Sequence, residues 1–242
     1  YANHVEHGSR TDRWYEIPGS EDAQNDGDTD WYFFDDGKAE KADVKNDKDR
    51  VMIKSDVPSY AEDSDGNPVY RARIKCDGKY FCFNEYGQMQ TDLQWIGGSL
   101  YYFDSNGYMK TGKVSDVEEE NGDVYTYYFE TKNSQNGKGI TGLKDGYLYW
   151  NGKRLEAEDD YALYMLNGQI YVVNDKGKVQ KSDKAYELDV VNGEKVYIEI
   201  SGNVVEKLAM TAKSVGDEYV VNYSSDKADA KKLDGRRDVL VQ

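Results

Sequence analysis

Leu100-Tyr101-Tyr102-Phe103-Asp104-Ser105-Asn106-Gly107-Tyr108-Met109-Lys110-Thr111-Gly112 is the stretch whose reading decides the fold. A run of aromatic residues with strand preference meets an Asp-Ser-Asn-Gly turn and then a second short extended run, the pattern of a β-hairpin. The same order stands at residues 80–91, where Gly87 and Thr91 lie 20 positions before Gly107 and Thr111. Trp31-Tyr32-Phe33-Phe34-Asp35-Asp36-Gly37 is an earlier copy. Thr126-Tyr127-Tyr128-Phe129-Glu130 opens a later one, with a longer turn before Gly137 and the same Thr141-Gly142 ending. Shorter or fainter copies follow at residues 147–152, 170–177 and 196–202. A single hairpin is not stable alone. A recurrence at 20 residues or more therefore predicts units that stack and bury each other's faces, a quasi-one-dimensional array.

The rest of the chain is consistent with this. Of 242 residues, Leu, Ile, Val and Phe number only 46, and the formal charge is −15. That is close to the composition of a disordered chain. Yet there are 22 Tyr, 4 Trp and 23 Gly against 3 Pro, whereas disordered chains are poor in aromatics and rich in Pro. Basic residues are diluted by acids throughout, which argues against nucleic acid and anionic membrane surfaces as partners. No apolar run is long enough to span a bilayer, so no membrane insertion is expected. The first residue is Tyr1, which reads as a processed or excised fragment. No stretch of 12 residues has helical periodicity; residues 159–166 come nearest.

Asp77-Gly78 is a two-residue hairpin turn, which sets Cys76 opposite Lys79 and Cys82 opposite Arg73. Side chains alternate faces along a strand, so the two sulfurs point apart and free, packed thiols are expected rather than a bond. His4 and His7 are the only histidines, and they read as part of a solvated tail, not a metal site. Without another histidine no Ser-His or Cys-His nucleophile can form in the body of the chain. Carboxylates are too abundant for a close pair to signify glycosidase chemistry. The segments 22–30 and 63–66 lack the ligand spacing of a calcium loop. No catalytic residue, metal or cofactor is assigned, and the chain is expected not to be an enzyme. The acidic run at 115–123 reads as a solvated hairpin tip.

The unit at 100–112, Tyr-Tyr-Phe-Asp-x-Asn-Gly-x-Met-x-Thr-Gly, resembles the cell-wall-binding repeat of Gram-positive surface proteins. This superfamily holds the choline-binding repeats and the glucan-binding repeats of streptococcal glucosyltransferases and clostridial toxins. The resemblance covers about two-thirds of the chain and is strongest at 80–113. It implies an all-β fold, an elongated solenoid of stacked β-hairpins, extracellular and associated with the cell wall. The organisation it suggests is a lead-in segment at 1–30, repeats at 31–203 and a closing hairpin or cap at 204–242, with strands at 218–223 and 238–241.

In the choline-binding branch two Trp and a Tyr or Met cage a quaternary ammonium through cation–π attraction. Here the family Trp that follows Thr-Gly is replaced by Leu93, Lys113 and Leu143, and the Trp that opens the aromatic strand survives only as Trp31, with Tyr80 and Tyr147 as aromatic substitutes. A complete choline cage is not assembled from the family positions. The resemblance leaves the remaining aromatics to stack on sugar rings, and the candidate ligand-binding residues are Trp31, Tyr80, Trp95, Tyr102, Tyr128, Tyr147 and Tyr149. Most other aromatics are expected in the core. Trp95, read as part of a Gln-Trp-Ile-Gly-Gly turn between units, is expected to be exposed. The function expected is non-catalytic attachment to a cell-wall or extracellular glycan. The alternative is a spacer or adhesin scaffold that meets a surface or host protein.

Overall fold

The computed structural model describes residues 13–19, 29–42, 70–132, 136–189, 195–215 and 218–232. His4, His7, most of the segments at 22–30 and 41–69 and the terminal strand at 238–241 lie outside the described residues, as does the Asn192-Gly193 turn. What is described is all-β, with one turn of 3₁₀ helix at Lys227–Asp229. Among the described residues no helix is long and apolar enough to cross a membrane.

The chain divides into two units, Tyr1–Ile140 and Thr141–Gln242. The first holds β1 (Arg13–Ile17), β2 (Asp30–Asp35), β3 (Lys38–Ala39), β4 (Arg71–Cys76), β5 (Lys79–Asn84), β6 (Met89–Gln90), β7 (Asp92–Ile96), β8 (Ser99–Phe103), β9 (Gly112–Glu118) and β10 (Val124–Phe129). They pair antiparallel in the orders β1-β2-β3, β4-β5-β6, β7-β8 and β9-β10. The second holds β11 (Gly142–Lys144), β12 (Tyr147–Trp150), β13 (Lys153–Arg154), β14 (Tyr161–Leu166), β15 (Gln169–Asn174), β16 (Lys184–Glu187), β17 (Lys195–Ser201), β18 (Val204–Val215), β19 (Glu218–Tyr223) and β20 (Ala230–Lys232). Here β11, β12 and β13 pair in that order and β14 pairs with β15, while β16 to β19 form a meander with β20 added on β18. The strand at 218–223 is the one expected.

Two devices repeat and explain the sequence pattern. The first is the turn. Asn84 Oδ1 accepts the backbone N–H of Tyr86 and Gln88 at 3.0 and 2.9 Å, Asp104 Oδ1 those of Asn106 and Tyr108 at 3.0 and 2.9 Å, and Asn174 Oδ1 those of Lys176 and Lys178 at 3.1 and 2.8 Å. One side-chain oxygen thus replaces the turn's missing backbone acceptors, which is why the aromatic run ends on Asn or Asp. The second is the stack. At four places the residue two after a turn glycine packs over the turn glycine of a later repeat: Ala39 over Gly87, Met89 over Gly107, Met109 over Gly137 and Arg154 over Gly177. A Cβ on Gly107 would lie 2.3 Å from Met89 Sδ and 3.0 Å from Phe81 Cδ1, and one on Gly137 would lie 2.6 Å from Met109 Sδ. The backbone joins the same neighbours: Met109 N–H donates to Tyr80 C=O at 3.0 Å, and Gly139 N–H to Leu100 C=O at 2.7 Å.

The core is accordingly a series of clusters. Cys76, Phe81 and Phe83 gather Trp14, Phe33 and Met89; Cys82, Ile96, Tyr101 and Phe103 gather Met109; Leu93, Leu100, Val117, Tyr127 and Phe129 gather Trp95 and Tyr102. Cys76 pairs with Lys79 and Cys82 with Arg73, and the two free thiols lie in different clusters, as the Asp77-Gly78 register requires. In the second unit the largest cluster is aliphatic: Leu163, Ile170, Val172, Leu188, Val196, Ile198, Val205 and Leu208 around Tyr186.

One expectation changes. The run at 115–123 is not all tip. β9 extends to Glu118 and buries Val117, and the turn is confined to residues 119–123, closed by the Glu119 N–H to Asp123 C=O bond at 2.9 Å. A register shift between Tyr125 and Tyr127 fits this acidic strand to β10. A bulge of this kind leaves no mark on composition. Residues 224–232, in the expected closing hairpin or cap, carry the 3₁₀ turn and β20. Residues 161–166, within the segment nearest to helical periodicity, are β14, in keeping with the all-β reading.

Candidate functional site

Two grooves lie in the first unit, and Tyr108 is a wall of both. The first, of about 260 Å³, is lined by Trp14, Trp31, Phe81, Met89, Ser105, Asn106 and Tyr108. Its base follows from the β1-β2 register. Trp14 pairs with Phe33 and Glu16 with Trp31, and directly opposed antiparallel residues share a face, so all four project from one side of the hairpin. Trp14 is held by rings: its centroid lies 4.5 Å from Phe81, 5.1 Å from Phe33 and 5.9 Å from Phe83. Phe81 in turn meets Tyr108 edge-on at 5.4 Å. Trp31 is 42% exposed and Tyr108 38% exposed, so the groove presents aromatic surface that a packed floor holds in place. Glu16, exposed, stands opposite Trp31 on the same face of the hairpin.

The second groove, of about 520 Å³, is lined by Lys79, Tyr80, Tyr108, Met109, Lys110, Thr111 and Asn136. Behind it stands Arg73. Its guanidinium lies 4.8 Å from the Tyr80 centroid and 4.9 Å from that of Tyr101, and Nη1 donates to Asn136 C=O at 2.9 Å. Lys79 Nζ sits 3.6 Å from the centre of the Tyr108 ring. Lys110 reaches Asp104 at 3.4 Å.

The expected site residues distribute unequally. Trp31 is in the first groove and Tyr80 in the second. Trp95 is a correction. The turn is Gly97-Gly98 alone, and Trp95 lies in β7 opposite Leu100, half-buried against the Leu93 cluster, because only the two glycines take the positive φ that the turn needs. Tyr102, opposite Leu93 on the same face, stacks on Phe129 at 6.2 Å and 16°; burial, with Asp92 and Asp104, raises its phenol pKa. Tyr128 is half-buried in β10 and lines neither groove. Tyr147 and Tyr149 belong to the second unit, Tyr147 beneath Arg154 at 5.4 Å and Tyr149 3% exposed in the core. The exposed tryptophan of that unit is Trp150, at 56%.

Trp14, Phe81, Met89, Tyr108, Lys79 and Lys110 are groove residues that sequence reading missed. Tyr108 had a signal. The place after the turn glycine is Lys38, Gln88, Lys138, Lys153 and Lys178 in other repeats, and Tyr108 is the aromatic among them. Among the described residues no group of three or more His, Cys, Asp or Glu is placed to hold a metal ion.

No family model matches the sequence, and no curated protein does. Solved structures do. Choline-binding protein CbpF in complex with ipratropium is 19% identical over 81% of this chain and 48% of its own, with a TM-score of 0.42. The choline-binding domain of CbpL from Streptococcus pneumoniae is 17% identical over 81% of this chain and 97% of its own, with a TM-score of 0.35. Alternansucrase in complex with isomaltononaose is 17% identical over 84% of this chain and 15% of its own, with a TM-score of 0.27. The chain spans about half the length of the CbpF structure.

Proposed function

We propose that this chain is a non-catalytic binding module of the cell-wall-binding repeat type, which attaches at the cell surface to a wall or extracellular glycan. The observation that carries this reading is the first groove, where Trp14, Trp31, Phe81, Tyr108 and Met89 converge from three hairpins. Aromatic faces suit the C–H faces of sugar rings or a cationic substituent on them, and Ser105, Asn106 and Glu16 offer hydrogen bonds to hydroxyls. The lining is aromatic and neutral, with Glu16 opposite Trp31 on the same face, a set suited to holding a glycan. Two tryptophans, a tyrosine and a methionine are the residue types of a quaternary-ammonium cage, here with Trp31 and Met89 at family positions and Trp14 and Tyr108 outside them.

The test is a binding panel of wall fractions and soluble glucans on the full chain with Trp31→Ala. A buried or stacked tryptophan anchor contributes about 2 kcal/mol, so the variant should bind at least about tenfold more weakly. Trp150→Ala, an exposed tryptophan of the second unit, is the control. Competition by tetramethylammonium would assign recognition to a cationic substituent, and its absence would assign it to the sugar. Absence of binding to every fraction would refute the reading and favour the spacer.

A further inference from the structure

We infer that the second groove takes an anionic substituent, a carboxylate or phosphate carried on the saccharide whose neighbouring part occupies the first groove. This rests on the proposed glycan-binding function and deepens it. The lining contributes two ammonium groups, Lys79 and Lys110, and no acid. Arg73 lies directly behind, bonded to the Asn136 carbonyl and 4.0 Å from Met109 Sδ, both residues of the lining. Asp104 meets Lys110 at 3.4 Å, with Lys110 still 45% exposed. The lining itself is positive in a chain of charge −15.

The aromatic rings reinforce the sign. A ring face attracts a cation, but here both are already taken by the chain's own cations, Tyr80 by Arg73 and Tyr108 by Lys79. The groove therefore offers N–H donors, and a cationic ligand would meet rings that already carry Arg73 and Lys79. Thr111 and Asn136 add neutral polar groups suited to an oxyanion's flanking hydroxyls. The remote acids do not cancel this field, because at physiological ionic strength charges more than about 8 Å away are largely screened. Since Tyr108 is common to both grooves, one ligand can lay a sugar face on its first side and reach Lys79 with the adjoining substituent.

The experiment measures binding of the full chain, at about 0.15 M salt, to a neutral glucan, to the same glucan oxidised to carry uronates, and to a polyol-phosphate polymer. Lys79→Gln and Lys110→Gln are measured beside wild type, with circular dichroism as the folding control. An acidic polymer should bind more tightly than the neutral glucan, and each substitution should lower that preference by about fivefold, the ratio for an exposed ion pair near 1 kcal/mol. The two acidic arms tell carboxylate from phosphate. Binding to glucan with no acidic preference, or a preference that both substitutions leave intact, overturns the inference while leaving the proposed function standing. No binding to any polymer overturns both.

Discussion

Gly177→Ala isolates the stacking of one repeat on the next, and Gly168→Ala is its matched control. Both glycines belong to the second unit and share a left-handed backbone, φ +75° and +74°. An L-residue there costs about 1–2 kcal/mol, and the stiffer unfolded chain returns about 0.4–1 kcal/mol. Gly168→Ala meets nothing within 4 Å, so it should destabilise by about 1 kcal/mol. At Gly177 the new Cβ would lie 2.7 Å from Arg154 Cγ and 2.9 Å from the Leu155 carbonyl oxygen. Neither retreats freely. The Arg154 head is tied to Glu156 and lies over Tyr147, and Leu155 N–H is bonded to Leu148 C=O at 2.9 Å. Forcing a methyl into such packing adds about 1–3 kcal/mol, for a total of about 2–4 kcal/mol. Urea unfolding followed by circular dichroism reads the difference. Arg154→Ala in the Gly177→Ala background should recover only the side-chain share, since the Leu155 oxygen remains. Equal destabilisation by Gly177→Ala and Gly168→Ala would refute the stacking account.

The turn device makes its own prediction. Asp104→Ala leaves the N–H groups of Asn106 and Tyr108 without their acceptor and should cost about 1 kcal/mol, as these groups are exposed enough for water to substitute in part. Asp104→Asn keeps the oxygen and should stay near wild type in the same assay. Burial pushes the thiols of Cys76 and Cys82 up to about 12, and burial followed by Tyr161 pushes the Tyr186 phenol to about 12. Unfolded, these groups ionise near pH 8.5 and 10. Above pH 9 the unfolded chain thus sheds protons that the folded chain keeps, and stability should fall as pH rises. A urea midpoint that holds constant from pH 8 to 11 would contradict this. At pH 8 a thiol reagent should label neither cysteine until denaturant is added.

Much of the fold was legible because its instructions are local. The Asp77-Gly78 turn set the β4-β5 register, and with it the opposite faces of Cys76 and Cys82. Alternation placed Tyr101 with Phe103 and Tyr127 with Phe129, and each pair is buried together. The low content of Leu, Ile, Val and Phe proved a property of part of the chain. Phe, Tyr and Trp fill the clusters at Phe81 and Phe103, whereas the cluster around Tyr186 is built from the usual aliphatics. The bulge that lets the acidic strand bury Val117 had no such local signature.

From the sequence alone came the hairpin as unit, its turns, its registers and its recurrence, because period-two alternation and turn chemistry act within a few residues. Only the tertiary structure decided the sites. Trp14, Trp31, Phe81, Met89 and Tyr108 come from hairpins far apart in the chain, and which of them meet depends on which face each hairpin lays on its neighbour. It also decided that Trp95 is half-buried and that Lys79 and Lys110 share a groove with no acid in its lining. Net charge is a sum over the whole chain. A bound group feels the few charges within a screening length, and only packing determines which those are.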